Sequence, residues 1–527
     1  MIPHINGDVV INGKDFDHMR PNMFPGSLWL RTIGVLAAIL WVFYWILIGQ
    51  DYVLDDAMIH MKFGELLLEH GFFTGDGKTL SYPSSPVFTV IAAISGWVLG
   101  TFFATKIISI LAYLALLGYL ARSIAKTQWP INVGFYLILA ATLSPFGIRW
   151  LTDGMETSLH ILLSVMLADI VVSSDRHRKR SFLKYVALML MGALLTGLRL
   201  ESAFLIAISS LYLVFRDLSG AGERINLSLV FRSAISNAHL SFGVLIALGL
   251  MWAGFGHLLP DTAVAKELGL DPARSIYMVV HGTGATFSFG ILLWLAITVS
   301  IGVLLYGLKR NADPASLILV LIVPLGILLI VMTGVDVQSI RHFSWLLYFG
   351  AVAASLRNVE HFRQVMPGTG RISRSKAIRS IVAALVIITS ASWIVESIFV
   401  NRIMVTSGET LRSIAAVPMD KLRDKRGIAG DVGFAMYFSG ASICDFNGLI
   451  NGRTFAAMSF DERVRSCVSG QHEFLFVSPL QLEILNKATS GRYESWIVCG
   501  TFTFENVLNS STHRLLLHPA LAGDLCK

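Results

Sequence analysis

Long runs of apolar residues are the feature that most limits what this chain can fold into. The first run covers Leu28 to Gln50, and a helix of about 20 apolar residues crosses the ~30 Å hydrocarbon core of a bilayer. Further runs lie near residues 103–121, 131–147, 157–173, 183–198, 202–215, 238–256, 290–308, 315–332, 343–356 and 380–400. The pattern predicts a polytopic α-helical membrane protein with about 11 transmembrane helices. A set of soluble domains is excluded, because 54% of the 527 residues are hydrophobic and only 15% are charged.

The distribution of lysine and arginine between the predicted loops orients these helices. If the N-terminus is cytoplasmic, the cytoplasmic segments carry most of the loop lysines and arginines, including the cluster from Arg176 to Arg180, as the positive-inside rule requires. Residues 51–102 then form one long external loop. We expect a transmembrane domain at 1–400 and an external domain at 401–527. The net charge of +7 marks this topology, so it does not indicate a nucleic-acid partner.

The external loop 51–102 contains two apolar stretches that this topology keeps from crossing the membrane. In Ala57 to His70, charged residues share one helical face beside apolar ones, which is typical of a helix lying in the membrane interface. Val87 to Leu99 is also apolar, but as a transmembrane span it would reverse the side of every later loop. We expect both stretches at the interface, where they flank a groove for a lipid tail or simply anchor the loop.

The external segment predicts a small α/β domain closed by disulfides. Gly408 to Lys425 has a helical pattern, after which strand and helix patterns alternate. Strands are predicted at Ile428 to Asp431, Ser442 to Phe446, Glu473 to Val477 and Ser495 to Phe504, and helices at Asp461 to Val468 and Pro479 to Ala488. All four cysteines lie here, namely Cys444, Cys467, Cys499 and Cys526. An even number on the oxidising side predicts two disulfides, with all three pairings open, and the wide spacing argues against a zinc site.

Charged residues recur in the external loops, next to the ends of the predicted helices. Such residues are costly at membrane depth, so a group of them indicates a functional site. Each also has a structural interpretation, as a solvated interface anchor or, for Arg199 with Glu201, as an ion pair. The residues are Asp51, Asp55 and Asp56, then Arg149, Asp153 and Glu156, then Arg199 and Glu201, then His257, Asp261 and Lys266, and last Asp336, Arg341 and His342. Together they predict a polar cavity on the external side.

Either an enzyme or a transporter would use such a cavity. A transporter places its site near the middle of the membrane, commonly between internal repeats. In this sequence the acidic residues lie at external helix ends and no internal repeat is visible. The pattern favours an enzyme that acts at the outer membrane surface on a lipid-linked substrate.

Seven groups of short motifs, in order from residue 54 to about 450, carry a family resemblance. They are Leu54-Asp55-Asp56-Ala57-Met58-Ile59, Tyr82-Pro-Ser-Ser-Pro86, Asp153-Gly-Met-Glu156-Thr157, Leu198-Arg199-Leu200-Glu201, Leu259-Pro260-Asp261-Thr262 with Ala265-Lys266, Gly334-Val-Asp336 with Arg341, and Gly430-Asp431-Val-Gly433 with Asp445-Phe-Asn-Gly448-Leu449. In these motifs the sequence resembles the GT-C superfamily of polyprenyl-phosphate-sugar glycosyltransferases, and most closely the branch of mycobacterial arabinofuranosyltransferase B. That branch usually has Pro, Pro, Asn and Trp where this chain has Ser158, Leu200, Asp261 and Val337.

The resemblance implies an inverting transfer of a sugar, D-arabinofuranose in that branch, from a polyprenyl-phosphate donor to a glycan or protein acceptor. Asp55 is the expected catalytic base, and Asp56 shares that role or orients Asp55. The charge that grows on the leaving phosphate needs cations, which are expected at Arg341, Lys266 and Arg199. The expected contacts to sugar and acceptor are Asp153, Glu156, Glu201, His342, Asp336 and Tyr82.

The cofactor, the sugar and the acceptor stay open at this point. No cofactor is fixed, although Asp55, Asp153 and Glu156 offer oxygen ligands that suit Mg²⁺ or Mn²⁺. Transfer of mannose or aminoarabinose to protein or to lipid A is an alternative, as is transport of a lipid-linked sugar. We expect the protein among the lipids of a bacterial inner (cytoplasmic) membrane, with its active site and C-terminal domain on the periplasmic side.

Overall fold

The computed structural model describes residues 26–126, 133–173, 182–220, 226–265, 298, 344–353, 355–356, 373–505 and 510–526. Up to residue 356 the described chain is helical, and most of its helices match a predicted apolar run. They are α1 Gly26–Ile48, α2 Asp55–His70, α3 Pro86–Leu99, α4 Thr101–Lys126, α5 Val133–Leu143, α6 Pro145–Leu151, α7 Thr157–Ser173, α8 Phe182–Leu198, α9 Ser202–Gly220, α10 Leu227–Asn237, α11 His239–Phe255, α12 Asp261–Ala265 and α13 Ser344–Ala353. The runs predicted at 290–308 and 315–332 lie outside the described residues, apart from residue 298.

Two of the described helices are long and apolar enough to cross a membrane, within Thr101–Ala125 and Ser202–Ser219. A third crossing results if α10 and α11, which meet at a bend of 57°, form one broken span. Other apolar helices of the described chain, such as Thr157–Val172 and Phe182–Leu198, are shorter. The number of about 11 spans therefore stays a prediction.

The run predicted as one span at 131–147 is divided into α5 and α6. Pro145 has no amide hydrogen and cannot continue a helix, so α6 begins with this proline in its first turn. The Ser144 side chain caps α6 by accepting a hydrogen bond from Gly147 N at 3.0 Å. The division gives a short helix whose last turn carries Arg149, directly before the loop 152–156.

The apolar face of α2 packs against protein, whereas the sequence pattern suggested lipid contact, and its position at the interface stays a prediction. Met58, Met61 and Phe63 are fully buried, in a core that α2 shares with the C-terminal domain. A helix can bury its apolar face against lipid or against protein, and the sequence pattern is similar in both cases. The C-terminal end of α3 does expose large apolar side chains, among them Trp97 and Val98.

The C-terminal domain contains a five-stranded sheet in the order β2-β1-β3-β5-β4. β1 (Arg426–Ala429), β2 (Ser442–Asp445) and β3 (Phe474–Val477) are parallel, and β5 (Ser510–Leu517) and β4 (Ile497–Glu505) continue the sheet antiparallel. The four predicted strands match β1 to β4 within a few residues, whereas β5 is not predicted because its first half is polar. The helices are α15 Val432–Ser439, α16 Arg453–Ala456, α17 Phe460–Ser469, α18 Pro479–Thr489 and α19 Pro519–Leu525.

One long helix, α14 (Ser373–Ala416), joins the two parts of the protein. At 1.5 Å per residue its 44 residues extend over about 66 Å, more than twice the thickness of a bilayer core. It packs against α6 and against β4. The domain boundary expected at residue 400 therefore lies inside a helix, and the helix predicted at 408–425 is the end of α14 followed by a 3-10 helix, Met419–Leu422.

Two disulfides close the C-terminal domain. Cys444 in β2 bonds to Cys467 in α17, with Cα atoms 5.6 Å apart. Cys499 in β4 bonds to Cys526 after α19, with Cα atoms 4.8 Å apart. The structure thus has one of the three pairings that the sequence leaves open. Closing a loop of this size stabilises a fold by roughly 3 kcal/mol.

Candidate functional site

The Asp55 carboxylate lies at the N-terminus of α15, in the C-terminal domain. Phe434 N donates a hydrogen bond to Asp55 Oδ1 at 2.7 Å, and Gly433 N also bonds to this side chain. The first amides of a helix have no partner within the helix. Asp55 therefore caps a helix that follows far later in the chain, while Asp431, which occupies the capping position itself, makes no capping bond with its side chain.

Gly433 permits this close contact between α2 and α15. A Cβ at position 433 would overlap the backbone oxygen of Asp55 and lie 2.7 Å from its Oδ1. The two helices run in parallel from there, because a Cβ at Gly440, where α15 ends, would lie 3.9 Å from Lys62 Nζ in α2. A carboxylate at the N-terminus and a cation at the C-terminus both complement the helix dipole. Asp55 thus stabilises the N-terminus of α15, while Lys62 lies near its other end and pairs with Glu65 at 3.1 Å.

Two further carboxylates act on Asp55. Burial, the nearby Asp431 and the adjacent Asp56 raise the pKa of Asp55 well above its usual value, against the opposing effect of the α15 amides. His513 Nε2, in β5, lies 2.6 Å from Asp431 Oδ2 and ties that carboxylate to the sheet. A raised pKa makes a carboxylate a stronger proton acceptor, which is what a general base requires.

The second acidic loop packs against the start of α2. Gly154 adopts a left-handed conformation with φ of 87°, and a Cβ there would lie 3.3 Å from the Val53 side chain. A buried lysine from α4 joins the two loops, since Lys106 Nζ donates to Thr152 O at 2.6 Å and to Tyr52 O at 2.5 Å. The first and second loops are therefore held together by buried hydrogen bonds.

Asp153 and Glu156 in this second loop are buried beside cations. The Asp153 carboxylate is near enough to Lys106 to interact with its charge. Glu156 Oε1 forms an ion pair with Arg199, whose Nη2 lies at 2.6 Å and whose Nε lies at 2.9 Å. Arg199 Nη1 also lies 3.4 Å from Glu201. The pair predicted between Arg199 and Glu201 exists, but Glu156 is the closer partner.

Arg149, in the last turn of α6, is buried in an aromatic setting. Its Nε and Nη2 donate to Tyr52 Oη at 3.0 and 2.7 Å, and the Trp150 ring centroid lies 4.7 Å from its guanidinium carbon. Its Nη1 has no hydrogen-bond partner within the part of the chain that the structure describes. Arginine forks bind phosphate and carboxylate oxygens well, so this nitrogen can hold an anion.

Tyr82 and Asp261 join the first external loop to the fourth. Asp261, the first residue of α12, accepts hydrogen bonds from Tyr82 N at 2.8 Å and from Ser81 Oγ at 3.2 Å. His257 Nε2 lies 3.7 Å from its other oxygen. Burial raises the pKa of Asp261, while these partners oppose the rise. The Tyr82 ring stacks on Phe255 with centroids 4.1 Å apart. These contacts order both loops.

The motif from Asp445 to Leu449 forms a turn at the end of β2. Asp445 accepts hydrogen bonds from Asn447 N at 2.9 Å and Leu449 N at 2.6 Å, and burial raises its pKa to about 7 despite these bonds. Arg463 donates to Phe446 O in this turn at 3.1 Å and to Ala265 O, at the end of α12, at 3.2 Å. The motif therefore links the C-terminal domain to the fourth loop.

Several expected site residues fall outside what the structure describes, so their positions stay predictions: Lys266, Asp336, Arg341 and His342. Among the described residues, no group of three or more His, Cys, Asp or Glu side chains could hold a metal ion. The three expected ligands do not form such a group. Asp55 bonds to α15, and Glu156 pairs with Arg199.

Three residues at these sites carry no prediction from the sequence, namely Tyr52, Lys106 and His513. Lys106 offered a signal, because an ionisable residue inside an apolar run is a functional candidate by default. His513 lies in the strand that the sequence pattern misses. Tyr52 has no signal of its own, since its role arises from the two cations that meet it, Arg149 at its hydroxyl and Lys106 at its backbone oxygen.

Comparison with known proteins identifies the fold. No protein-family model and no curated protein matches the sequence. The structure is similar to ArnT from Cupriavidus metallidurans in the apo state, with a TM-score of 0.52 at 11% identity, over 93% of this chain and 98% of ArnT. The oligosaccharyltransferase AglB from Archaeoglobus fulgidus, solved with an inhibitory peptide and a dolichol-phosphate, gives a TM-score of 0.49 at 11% identity, over 92% of this chain and 74% of AglB. Both neighbours are enzymes of the GT-C type, and the likeness to ArnT shows that this chain shares its fold. The arabinofuranosyltransferase B branch stays a prediction.

Proposed function

We propose that the protein is an inverting glycosyltransferase that moves a sugar, D-arabinofuranose, from a polyprenyl-phosphate donor to a glycan or protein acceptor. The observation that carries the proposal is the Asp55 carboxylate, whose pKa is raised by burial and by two neighbouring carboxylates. Asp55 also stands in the motif of the first loop that resembles GT-C enzymes. The fold shared with ArnT supports a lipid-linked donor.

The reaction needs one proton acceptor. The acceptor oxygen attacks the anomeric carbon, the bond from that carbon to the phosphate oxygen breaks, and the hydroxyl proton passes to Asp55. Attack opposite to the leaving phosphate inverts the anomeric configuration. A positioned general base contributes about 10²–10⁴-fold. A carboxylate offers about four acceptor positions on its two oxygens. The two hydrogen bonds from the α15 amides therefore leave a position free for this proton.

The leaving phosphate needs positive charge, and Arg149 is suited to supply it. Arg199 is already paired with Glu156 at 2.6 Å. Arg149 keeps one nitrogen without a partner among the described residues, and it lies beside Tyr52, at the start of the first loop. We therefore propose Arg149, together with the predicted Arg341 and Lys266, as a contact to the donor phosphate. A buried guanidinium stabilises developing charge more strongly than one in water.

The sugar, the acceptor and the membrane follow from the resemblance and from the disulfides. Asp153, Glu156, Glu201 and Tyr82 are the proposed frame for sugar and acceptor, and they lie on loops that contact the first loop or each other. Disulfides persist in oxidising compartments, which supports a periplasmic C-terminal domain on a bacterial inner membrane. Transfer of mannose or aminoarabinose would use the same base, whereas a transporter would need none.

Purified full-length protein in lipid nanodiscs tests the reaction. Polyprenyl-phosphate donors carrying D-arabinofuranose, mannose or aminoarabinose are supplied with oligosaccharide and peptide acceptors, and released polyprenyl phosphate is measured. We expect release from the D-arabinofuranose donor. Asp55→Asn keeps a side-chain oxygen for Phe434 N but loses the proton acceptor, so the rate should fall about 10²–10⁴-fold. The matched control is Asp424→Asn, at an exposed aspartate of the C-terminal domain, which should keep the full rate.

Three other outcomes would change the proposed base, the proposed sugar or the proposed class of protein. Full turnover by Asp55→Asn would remove Asp55 as the base. Release from another donor alone would keep the reaction class and replace the sugar. Movement of an intact lipid-linked sugar across vesicle membranes, without release of phosphate, would replace the enzyme by a transporter.

A further inference from the structure

The parallel half of the C-terminal sheet has a topological switch point. The chain passes from β1 through α15 to β2 on one side of β1, and later enters β3 on the other side. In open α/β sheets, ligands bind at the carboxyl ends of the strands where the strand order reverses, commonly at a helix N-terminus. In this protein the α15 N-terminus at that point is occupied by the Asp55 side chain, from a helix of the first loop.

We propose that the N-terminus of α15, with Gly433 and Asp431, positions the Asp55 carboxylate for proton acceptance, so that the C-terminal domain is part of the catalytic machinery. This inference rests on the function proposed above. Of these three residues, Asp55 touches the reacting atoms, and Gly433 and Asp431 are positioning residues that act through it.

Contacts on both sides fix the distance between Asp55 and α15. On the α2 side, Ala57 and Met58 are fully buried in the core that α2 shares with the C-terminal domain. On the α15 side, Phe434 packs in the same core and stacks on Phe504 of β4, with ring centroids 4.5 Å apart. The absence of a side chain at Gly433 lets the backbones approach this closely. The carboxylate therefore has one position relative to the helix.

Two carboxylates among the described residues act on Asp55 through their charge. Asp56 acts on it from α2, and Asp431 acts on it from the turn between β1 and α15. His513 approaches Asp431 from β5 at 2.6 Å and holds it in place. Like charges beside a carboxylate favour its uptake of a proton, so Asp431 strengthens Asp55 as a proton acceptor.

Gly433→Ala in the full-length protein tests the contact. The added methyl group pushes α15 away from Asp55, and a displacement of about 1 Å at a reacting group can cost 10²-fold in rate. We expect kcat to fall about 10²-fold while the KM for the donor stays nearly unchanged. In the Asp55→Asn background the same substitution should cause no further loss, because the two residues then act as one unit. Gly523→Ala, in α19 of the same domain, adds a methyl group into open space and should change neither constant.

Asp431→Asn is the second variant, and it keeps the shape of the side chain. It tests the positioning of Asp55 even if Gly433→Ala does not fold. We expect a smaller loss of kcat that also disappears in the Asp55→Asn background, with Asp461→Asn, at an exposed position of α17, as its control. Losses of equal size with and without Asp55 would overturn the inference, as would a lowered unfolding temperature at wild-type kcat. If the wild-type protein releases no phosphate from any donor, the proposed function itself fails. If the wild-type protein releases phosphate and Asp55→Asn does not, the proposed function stands. An unchanged kcat in Gly433→Ala and in Asp431→Asn would then refute only the positioning role.

Discussion

Two neighbouring regions beside the start of α2 hold their carboxylates in opposite ways. In the first, the acidic junction (Asp55, Asp56 and Asp431), carboxylates lie together and Asp55 bonds to neutral amides. In the second, the paired junction (Asp153, Glu156, Lys106 and Arg199), Glu156 pairs with Arg199 and Asp153 lies near Lys106.

The acidic junction is suited to proton transfer, and the paired junction is suited to structural support. A carboxylate among like charges binds a proton more tightly, whereas one beside a cation stays ionised and holds its partner. The motif resemblance singles out Asp55 as the expected base, but the sequence gives no electrostatic reason to prefer it over the other acids. Of the two junctions, the acidic one raises the pKa of its carboxylate, and the paired one holds two helices and two loops together.

The largest effect should come from substitutions of Asp55 that separate its two roles, proton acceptance and capping of α15. Asp55→Asn and Asp55→Ala both lose the proton acceptor, so both should lower kcat by about 10²–10⁴-fold. Only alanine also removes the oxygen that caps α15, and it should lower the free energy of unfolding by about 1 kcal/mol. Turnover and thermal unfolding are measured on both variants in parallel. Equal unfolding temperatures of Asp55→Asn and Asp55→Ala would contradict the capping role. Equal unfolding temperatures together with different kcat values would show that loss of the proton acceptor does not explain the effect of Asp55 on the rate.

Breaking the paired junction should act on stability. Arg199→Met leaves Glu156 buried without its closest cation, and removal of one partner from a buried ion pair costs about 3–5 kcal/mol. Adding Glu156→Gln removes the stranded charge and should restore part of this loss. Chemical unfolding of the single and double variants in nanodiscs measures the difference. Equal stability of the two variants would show that the pair contributes nothing as a pair.

The hydrogen bonds of Lys106 should have a moderate effect. Lys106→Met leaves the carbonyl oxygens of Tyr52 and Thr152 without this donor, and a buried polar group that loses its partner costs about 1–3 kcal/mol. We expect a lower unfolding temperature and easier proteolysis of the loops 51–102 and 152–156. Lys78→Met, at an exposed lysine of the same external loop, is the control and should match the wild type.

The last prediction concerns pH, at a buried carboxylate that belongs to neither junction. The folded protein raises the pKa of Asp445 from 3.8 to about 7, mainly by burial. The folded state thus binds this proton more tightly than the unfolded state, so the contribution is fully present below 3.8 and is lost as pH rises through about 7. We expect a slightly lower unfolding temperature at pH 8 than at pH 5, and a flatter dependence in Asp445→Asn. An identical dependence in both proteins would assign it to other groups, such as Asp55.

Much of the secondary structure could be predicted, because its signals are local. The run at 157–173 coincides with α7, Thr157–Ser173. Helices α17 and α18 begin at serines that form capping boxes with Glu462 and Gln481, a signature that is readable within four residues. The polar half of β5 gave no such signal, since its strand geometry comes from pairing with β3 and β4.

Packing partners could not be predicted, because periodicity shows that a face is buried but not what buries it. The apolar face of α2 fits a membrane interface as well as a protein core, and the structure places it in a core. The disulfide pairing could not be predicted for the same reason. Four cysteines allow three pairings, and the folded domain brings Cys444 to Cys467 and Cys499 to Cys526.

By itself the sequence determined that this protein belongs in a membrane, that acids and bases gather in the loops predicted to be external, and that its motifs resemble GT-C enzymes. The tertiary structure decided that Asp55 lies between like charges and the amides of α15. That decision depends on a contact between Asp55 and Phe434, which lie 379 positions apart in the chain, and on the approach of Asp431 to the same carboxylate. The pKa of a group is set by distances of a few ångströms to charges and dipoles, and only the folded chain fixes such distances.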